Sequence, residues 1–445
     1  MRRLLASPWT WAVVAAAVRF AALALGPGLS VAPYSDSVDY HRLAAHLASG
    51  AGFALGPDGA LFPSTFRPPL LPFVIAPFYA LFGAHYLVAL LVQIALGALL
   101  VPAVHALARE VAGPATGTGA SARAHVPLAA AIATALWPPL IYFSITLLTE
   151  TLTALLQVVA VILAVRLLTR GGAALALGLG VALGLAALAR PTALPLAAAL
   201  FAWLLLAPRR PARARAIAVG LALLALGFAI GPWIVRNHAV TGRWIGLTSG
   251  GGAALYDSNN PIVLTDPRWR GGALSLRQVD PYAGEFRGLD EVEIDRLSAK
   301  KAREFLAAHR DRWLEMAGWK LARFFRPFSE TPVTGDPAGR GSTLGRIVRA
   351  FDPLFFTYGI LLPFFAGALL WALARPRSAL FAPALAVLVQ AALAAVYWGS
   401  LRMRAPVEPF IVVLGMFGLA AVVTALARLV RPASAGARPN QRPTG

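Results

Sequence analysis

The sequence predicts an all-α polytopic membrane protein with about ten transmembrane helices, and three observations support this class. Of its 445 residues, 58% are hydrophobic and only 13% are charged, and the mean hydropathy is +0.67. Apolar runs of roughly 18 residues or more recur along the chain, and each can cross a hydrocarbon core of about 30 Å. Arginines cluster in the short segments between these runs, as expected for cytoplasmic loops. This composition excludes a soluble globular protein.

The net charge of +20 comes almost entirely from arginine. Because much of this charge lies between apolar runs and no basic-aromatic module occurs, we do not expect a nucleic-acid partner. The chain contains no cysteine. Disulfides, thiolate chemistry and cysteine-ligated metals are therefore excluded.

The first predicted span is Pro8–Gly26, which follows Arg2 and Arg3 and is long enough for a retained signal anchor rather than a cleaved signal peptide. Residues 28–67 then form the first external loop. Within it, apolar residues recur at helical spacing from Tyr40 to Leu47, which predicts an amphipathic helix over Asp36–Ala48 lying on the membrane. We expect Asp36 as its N-cap and two glycines, at positions 50 and 52, at its end.

The apolar stretch from Leu70 to Ala108 is too long for one span and short for two. Charge decides between the alternatives, because two spans here would place every later arginine cluster outside. We therefore predict an interfacial or re-entrant helix over Pro69–Phe82 and a second span over Tyr86–Ala108, with Arg109 on the cytoplasmic side.

The remaining spans follow by alternation, with both termini cytoplasmic. They are Pro127–Phe143, Glu150–Leu168, Ala173–Ala189, Thr192–Ala207, Ile217–Val235, Phe351–Ala374, Ser378–Tyr397 and Val407–Ala427. This organisation predicts an N-terminal membrane module (1–235), an external segment (236–350), C-terminal membrane helices (351–427) and a disordered cytoplasmic tail (428–445). Within the external segment we expect a shaped loop over Thr248–Pro261 and helix over Leu289–Phe325.

Three carboxylates are candidates for chemistry. Asp36 and Asp39 begin the surface helix, and Glu150 begins a span at its external end, so the predicted topology places all three on one face. Acids at helix N-termini are also favoured by the helix dipole alone. Beside an apolar surface, however, the pKa of a carboxyl group rises toward that of a useful base. Asp36 and Glu150 would either hold a divalent cation, Mg²⁺ or Mn²⁺, or divide into a base and a positioning group.

Arginines reach the same external face. Buried or interfacial arginine is costly and usually has a partner, and guanidinium matches phosphate oxygens well. The alternative is pairing with acids such as Glu408 or snorkelling to the interface. The candidate phosphate-binding residues are Arg67, Arg190, Arg236, Arg402 and Arg404.

Short motifs in a definite order carry a resemblance to a known family. The series begins with Asp36-x-x-x-Tyr40, Gly50-x-Gly52-Phe53, Arg67-Pro68-Pro69-x-x-Pro72 and Leu81-Phe82-Gly83. It continues with Thr149-Glu150, Arg190-Pro191-Thr192, Arg236-Asn237, Ser258-Asn259-Asn260-Pro261 and Arg402-x-Arg404-x-Pro406-x-Glu408-Pro409. Over nearly the whole chain it resembles bacterial family-39-like glycosyltransferases of the GT-C superfold, which are related to protein mannosyltransferases and lipid A aminoarabinose transferases.

The resemblance implies a GT-C-type bundle with interfacial helices in the first external loop. It also implies transfer of a hexose or pentose from a polyprenyl-phosphate donor to an envelope glycan, lipid or protein acceptor on the external, periplasmic face of the cell inner membrane. By position, Asp36 matches the family's catalytic acid and Glu150 its second acid, while Arg402 and Arg404 match arginines near the donor phosphate. Tyr40, Asn259, Asn260 and Glu408 are expected to line the substrate.

Two alternatives are a lipid-linked sugar transporter or flippase and an O-antigen-type ligase. A transporter is expected to carry ionisable groups or broken helices near the bilayer midplane. Here the span interiors are mostly alanine, leucine and valine. Three glutamines are the main exceptions, Gln93, Gln157 and Gln390, and we expect them to form interhelical hydrogen bonds.

Overall fold

The computed structural model describes residues 6–33, 35–56, 60–113, 120–326 and 359–430. Within these ranges it is almost entirely helical, with a single two-stranded β-ribbon, so the predicted all-α class is confirmed. The helices up to the external segment are α1 Pro8–Leu25, α2 Asp36–Ala48, α3 Leu70–Phe82, α4 Tyr86–Ala112, α5 Ala120–Leu136, α6 Pro138–Ser144, α7 Glu150–Arg170, α8 Ala173–Ala189, α9 Ala193–Leu206 and α10 Ala212–Thr241. The others are α11 Gly251–Ser258, α12 Pro261–Thr265, α13 Glu291–Ala308, α14 Trp313–Phe324, α15 Leu362–Leu373, α16 Phe381–Val396, α17 Leu401–Arg404 and α18 Glu408–Val430.

Each predicted span contains an apolar helix, but the number of crossings is not confirmed. In the described ranges five helical stretches are long and apolar enough to cross a membrane, or six if α5 and α6 form one broken span. The first part of the predicted span Phe351–Ala374 lies outside the described residues, as does the tail from residue 431. The predicted boundary at residue 235 stays a prediction, although α10 runs through it without a break.

The predicted single span Pro127–Phe143 is two helices, because α5 and α6 meet at an angle of 52° around Trp137 and Pro138. The missing N–H of Pro138 cannot continue the helix hydrogen bonding, so carbonyls at the end of α5 lose their partners. Arg19, fully buried within α1, donates to two of these carbonyls, Ala135 O (2.9 Å) and Thr134 O (3.4 Å). The expectation that glutamines are the main polar residues inside the spans therefore overlooked Arg19.

The first external loop folds largely as predicted. Helix α2 spans Asp36–Ala48, but Asp36 is its first residue rather than its N-cap, and Ser35 occupies the cap position. The helix ends before two glycines, Gly50 and Gly52, with a φ of +81° each, a conformation that favours glycine. A short ribbon follows, pairing Ala54–Leu55 (β1) with Phe62–Pro63 (β2).

A partly buried acid joins the first external loop to the external segment. Glu291, in the first turn of α13, accepts from Ser64 Oγ and Thr65 N, both at 2.7 Å. Thr65 also exchanges a 2.8 Å hydrogen bond with Ser249. The loop that carries Asp36 is thereby fixed against α13, which forms the far side of the site.

Short helices replace the loop predicted over Thr248–Pro261. Helix α11 covers most of it, and Asn260 caps α12 by accepting a hydrogen bond from Val263 N at 3.0 Å. Glycine-rich sequence suggested irregular structure, yet Gly252 is needed because a side chain there would collide with the Asp295 carbonyl of α13. Close helix packing, and not loop flexibility, explains this glycine.

Lys320 fastens α14 to the end of α16. Its ammonium group donates to Asn259 Oδ1 (2.7 Å) and Val396 O (2.8 Å), and the residue is only 2% exposed. Burial lowers the pKa of Lys320 to about 8, because a charged amine is poorly solvated there. Both of these hydrogen-bond acceptors are neutral.

This burial predicts a pH-dependent stability. Since the folded-state pKa lies below the unfolded value of about 10.5, the unfolded state binds more protons between about pH 8 and 10.5, and stability rises with pH through that window. The full effect has an upper limit of about 3 kcal/mol. Thermal unfolding in detergent should show an increasing Tm over this range that Lys320→Met lacks. Parallel pH profiles for the two proteins would contradict the assignment.

Candidate active site

Three acids and three arginines predicted from the sequence meet beside a cavity of about 1160 Å³, and all of them except the fully buried Glu150 line it. The acids lie in helices α2 and α7. One arginine precedes α3, one follows α8 and one lies in α17. The cluster consists of Asp36, Asp39, Glu150, Arg67, Arg190 and Arg402. Its formal charge is balanced, with three negative and three positive side chains.

Asp36 lies between two arginines. Its Oδ1 accepts from Arg67 Nη2 and its Oδ2 pairs with Arg402 Nη1, each at 2.7 Å. Arg67 also contacts Asp39 Oδ2, from Nε at 2.9 Å and from Nη2 at 2.8 Å. Both oxygens of Asp36 are thus occupied by guanidinium groups.

Glu150 binds the other side of Arg402. Its Oε1 accepts from Arg402 Nε (2.7 Å) and from Arg190 Nη1 (2.6 Å), and its side chain is fully buried. The second oxygen, Oε2, is buried with no hydrogen-bond partner among the described residues. Arg402 therefore bridges two carboxylates that are 114 residues apart in the sequence, Asp36 and Glu150.

Local sequence explains how the arginines reach this wall. Arg190 is the C-cap of α8, and Pro191 prevents the helix from continuing, so the Arg190 side chain lies at the helix end, where it reaches Glu150. Arg402 lies in the short α17, which Ser400 caps by accepting from Met403 N at 3.1 Å. Arg67 lies over the Phe66 ring, 4.5 Å from its centroid.

The charges around Asp36 determine its proton affinity. Burial disfavours the carboxylate, but the guanidiniums of Arg402 and Arg67 outweigh this effect and hold the pKa of Asp36 well below its usual range. A carboxylate this acidic is a poor base, since general bases work best with a pKa near the operating pH. The pKa of Asp36 can rise only when at least one of these two arginines pairs with another anion instead.

Tyr40 lies beneath the same cluster. Its side chain is 3% exposed, and burial raises the pKa of its hydroxyl to about 12. The ring centroid lies 5.8 Å from the Arg67 guanidinium carbon, a cation–π distance. Tyr40 lines the cavity and stays neutral, so it offers a hydroxyl rather than a charge.

Other predicted site residues lie apart from this cluster. Arg404 Nε donates to Glu408 Oε1 at 2.6 Å, Trp137 Nε1 donates to Glu408 Oε2 at 2.8 Å, and Arg404 Nη1 donates to Phe324 O. Arg404 and Glu408 are 4% and 0% exposed and do not line the cavity. Their substrate roles stay predictions, and the contacts favour a structural pair that holds α14 against α18.

Arg236 and the two asparagines also have structural partners. Arg236 donates to Ser64 O (2.6 Å) and Phe53 O (2.9 Å), which fastens the first external loop to α10. Asn259 binds Lys320, and Asn260 caps α12. None of the three lines the cavity, and their roles in substrate binding stay predictions.

Sequence reasoning overlooked a second polar wall of the cavity. Asp257, at the end of α11, pairs with Arg277 at 3.1 Å, and both line the cavity. Asp257 immediately precedes the Ser258–Pro261 motif used above, so an acid within that external loop was the available signal. Burial raises the pKa of Asp257 to about 6, although Arg277 acts in the opposite direction.

A divalent cation does not fit the acids as they are arranged. Across the described ranges no three histidine, aspartate or glutamate side chains are grouped as metal ligands. Three of the four carboxylate oxygens of Asp36 and Glu150 contact arginines. The fourth, Glu150 Oε2, is buried. Arginines thus bind the carboxylate oxygens that a cation would need, and the divalent cation stays a prediction.

A scan against protein-family models and a search of curated proteins found no match. Solved structures do match. The Archaeoglobus fulgidus oligosaccharyltransferase in its apo form is 16% identical, with a TM-score of 0.53, over 95% of this chain and 51% of its own. The same enzyme, AglB, solved with an inhibitory peptide and a dolichol-phosphate, is 14% identical, with a TM-score of 0.50, over 98% and 52%. This chain thus spans about half the length of that enzyme.

ArnT from Cupriavidus metallidurans bound to undecaprenyl phosphate also matches, at 14% identity over 95% of this chain and 80% of its own. Its TM-score is 0.43, so the fold comparison rests on the oligosaccharyltransferase. Both proteins are GT-C glycosyltransferases. The chain has the multi-pass membrane fold of this class, as the sequence resemblance predicted.

Proposed function

We propose that this protein is an integral-membrane glycosyltransferase that moves a sugar from a polyprenyl-phosphate-linked donor to an acceptor hydroxyl. The observation that carries the proposal is the acid–arginine cluster beside the cavity, in which three guanidinium groups are held together by three carboxylates. Guanidinium groups match phosphate oxygens in geometry and charge. A GT-C fold with such a cluster suits a substrate that is already anchored in the lipid.

The fold comparison supports the donor class. AglB was solved with a dolichol-phosphate and a peptide, that is, with a polyprenyl phosphate and a peptide ligand together. We propose that Arg67, Arg190 and Arg402 hold the donor phosphate in this chain, and that Tyr40 contacts the substrate. The site would face the exterior of the cell inner membrane, with both termini cytoplasmic. The acceptor class, whether envelope glycan, lipid or protein, is for the assay to determine.

The proposed reaction is an inverting displacement. Asp36 accepts the proton of the acceptor hydroxyl while that oxygen forms a bond to the anomeric carbon. The bond between this carbon and the phosphate oxygen breaks, and the electron pair leaves with polyprenyl phosphate. The arginines stabilise the charge that develops on the leaving oxygen. Glu150 positions Arg402, and Asp39 positions Arg67.

Donor binding would also activate the base. In the ligand-free protein Arg402 and Arg67 hold Asp36 in a strongly acidic state. A donor phosphate competes with Asp36 for Arg402, because its charge and oxygen spacing suit the same guanidinium. Once Arg402 turns to the phosphate, Asp36 loses one cationic neighbour and its basicity rises. The carboxylate thus becomes a useful base only after the donor has bound.

The decisive assay uses purified protein in detergent with a panel of polyprenyl-phosphate hexoses and pentoses. Release of free polyprenyl phosphate that depends on an added acceptor supports the proposal. A transporter or flippase would bind the same lipids without breaking the sugar–phosphate bond, and an O-antigen-type ligase would instead consume a diphosphate-linked donor. Absence of release from every monophosphate donor, with protein that still binds them, would overturn the proposal.

Removing divalent cations should leave the rate of transfer within about twofold of the untreated enzyme, because the arginines supply the charge stabilisation that a metal would otherwise supply. The measurement is polyprenyl phosphate release after treatment with EDTA and desalting. Readdition of Mg²⁺ or Mn²⁺ is the control. A large loss on chelation, restored by either ion, would show that the cation alternative drawn from the sequence is correct.

A further inference from the structure

The cavity that the arginine cluster lines has a second polar wall, built by the external segment. Asp257 ends α11, and the chain returns beside it because Leu274 N donates to the Asp257 carbonyl at 2.8 Å. This return brings Ser275 and Arg277 next to the Asp257 side chain, with Arg277 Nη2 at 3.1 Å from Asp257 Oδ2. All three residues line the cavity.

The hydrogen-bonding capacity of this wall is only partly used. Asp257 Oδ1, Ser275 Oγ and Arg277 Nε are buried and have no hydrogen-bond partner within the described ranges. The Ser275 hydroxyl lies near enough to Asp257 to lower its pKa, but without the geometry of a hydrogen bond. Buried polar atoms in native proteins are nearly always satisfied, so three neighbours lacking partners beside one cavity indicate a missing partner.

The chemistry of these atoms indicates what that partner is. A carboxylate oxygen accepts, a guanidinium N–H donates and a hydroxyl does both. Neighbouring hydroxyls of a sugar match such a set, because each hydroxyl donates and accepts. Two tryptophans, Trp269 and Trp398, line the same cavity and offer apolar faces suited to the C–H surface of a sugar ring.

A phosphate fits this wall less well than it fits the arginine cluster. Asp257 would place a carboxylate beside the anion, and its negative charge already pairs with Arg277. The arginine cluster is also paired with carboxylates, but it offers three guanidinium groups to a phosphate where this wall offers only that of Arg277. The two walls therefore differ in the ligand group each can hold.

We propose that Asp257, Ser275 and Arg277 form a saccharide-binding subsite that fixes a sugar ring in the cavity that the arginine cluster also lines. The ring belongs either to the donor or to a glycan acceptor, and both present the same vicinal hydroxyls. The inference rests on the proposed function for its role in catalysis. Its binding chemistry can be tested separately.

The test compares binding of three probes by tryptophan fluorescence or calorimetry in detergent. The probes are undecaprenyl phosphate, the same lipid carrying a hexose, and a panel of methyl hexosides and pentosides. Asp257→Asn keeps the size of the side chain but removes the carboxylate charge, and Ser275→Ala removes a hydroxyl that has no partner among the described residues. Asp266→Asn is the matched control, because Asp266 is an acid of the same segment that pairs with the exposed Arg268.

If the subsite holds the donor sugar, Asp257→Asn and Ser275→Ala weaken binding of the hexose-bearing lipid about tenfold and leave undecaprenyl phosphate unchanged. If it holds the acceptor, the same variants weaken methyl glycoside binding and leave both lipids unchanged. Saccharide binding within twofold of wild type in both variants, or none by the wild-type protein, overturns the subsite. Failure of every lipid to bind while methyl glycosides do overturns the proposed donor class and leaves the subsite standing.

Discussion

Asparagine in place of Asp36 should lower kcat for sugar transfer by about 10² to 10⁴, the range that loss of a general base causes. The amide keeps the volume of the side chain but cannot accept the proton of the acceptor hydroxyl. It also removes one negative charge beside Arg67 and Arg402, so these arginines become freer to bind a phosphate. Affinity for undecaprenyl phosphate should therefore stay the same or increase while turnover falls.

The opposite direction of the two effects makes this variant informative. A merely misfolded protein would lose lipid binding as well as turnover, whereas loss of the base separates them. Asp266→Asn makes the same chemical change at an exposed ion pair and should leave both quantities unchanged. Wild-type kcat in Asp36→Asn would remove Asp36 from the role of base.

Arg402→Gln should abolish measurable transfer and destabilise the protein together. Glu150 is fully buried, and loss of Arg402 leaves it with Arg190 as its one cationic partner among the described residues. Breaking a buried ion pair by removing one partner typically costs about 3–5 kcal/mol. Because Arg190 remains, we expect the lower end of this range, measured as a fall in Tm in detergent.

A second substitution separates stability from activity. Glu150→Gln combined with Arg402→Gln restores the charge balance of the cluster to two acids and two arginines, so part of the lost stability should return. Transfer should not return, because the donor phosphate still lacks its guanidinium. Arg268→Gln, at an exposed arginine that pairs with Asp266, is the matched control. Restored transfer in the double variant would show that Arg402 acts only by neutralising Glu150.

Local sequence patterns predicted the class of fold and the residues of the acid–arginine cluster. Apolar run lengths and arginine placement predict the helices, because spanning lipid requires long apolar segments with satisfied backbone groups. Local signals also marked Asp36, Glu150, Arg190 and Arg402, since charged residues next to apolar runs have few structural uses. Glycines at positions 50 and 52 correctly ended α2, because a positive φ is a local property.

Which of these charges meet depends on long-range packing. Asp36 and Glu150 both pair with Arg402, which lies hundreds of residues further along the chain. Arg404, two positions after Arg402, pairs with Glu408 instead. Side chains of neighbouring residues on a short helix point in different directions, so sequence spacing could not separate the two arginines. Asp257 faces the site because α11 packs against α13, and Arg19 is buried because α5 breaks at Pro138. Long-range packing sets these contacts, and no local pattern encodes them.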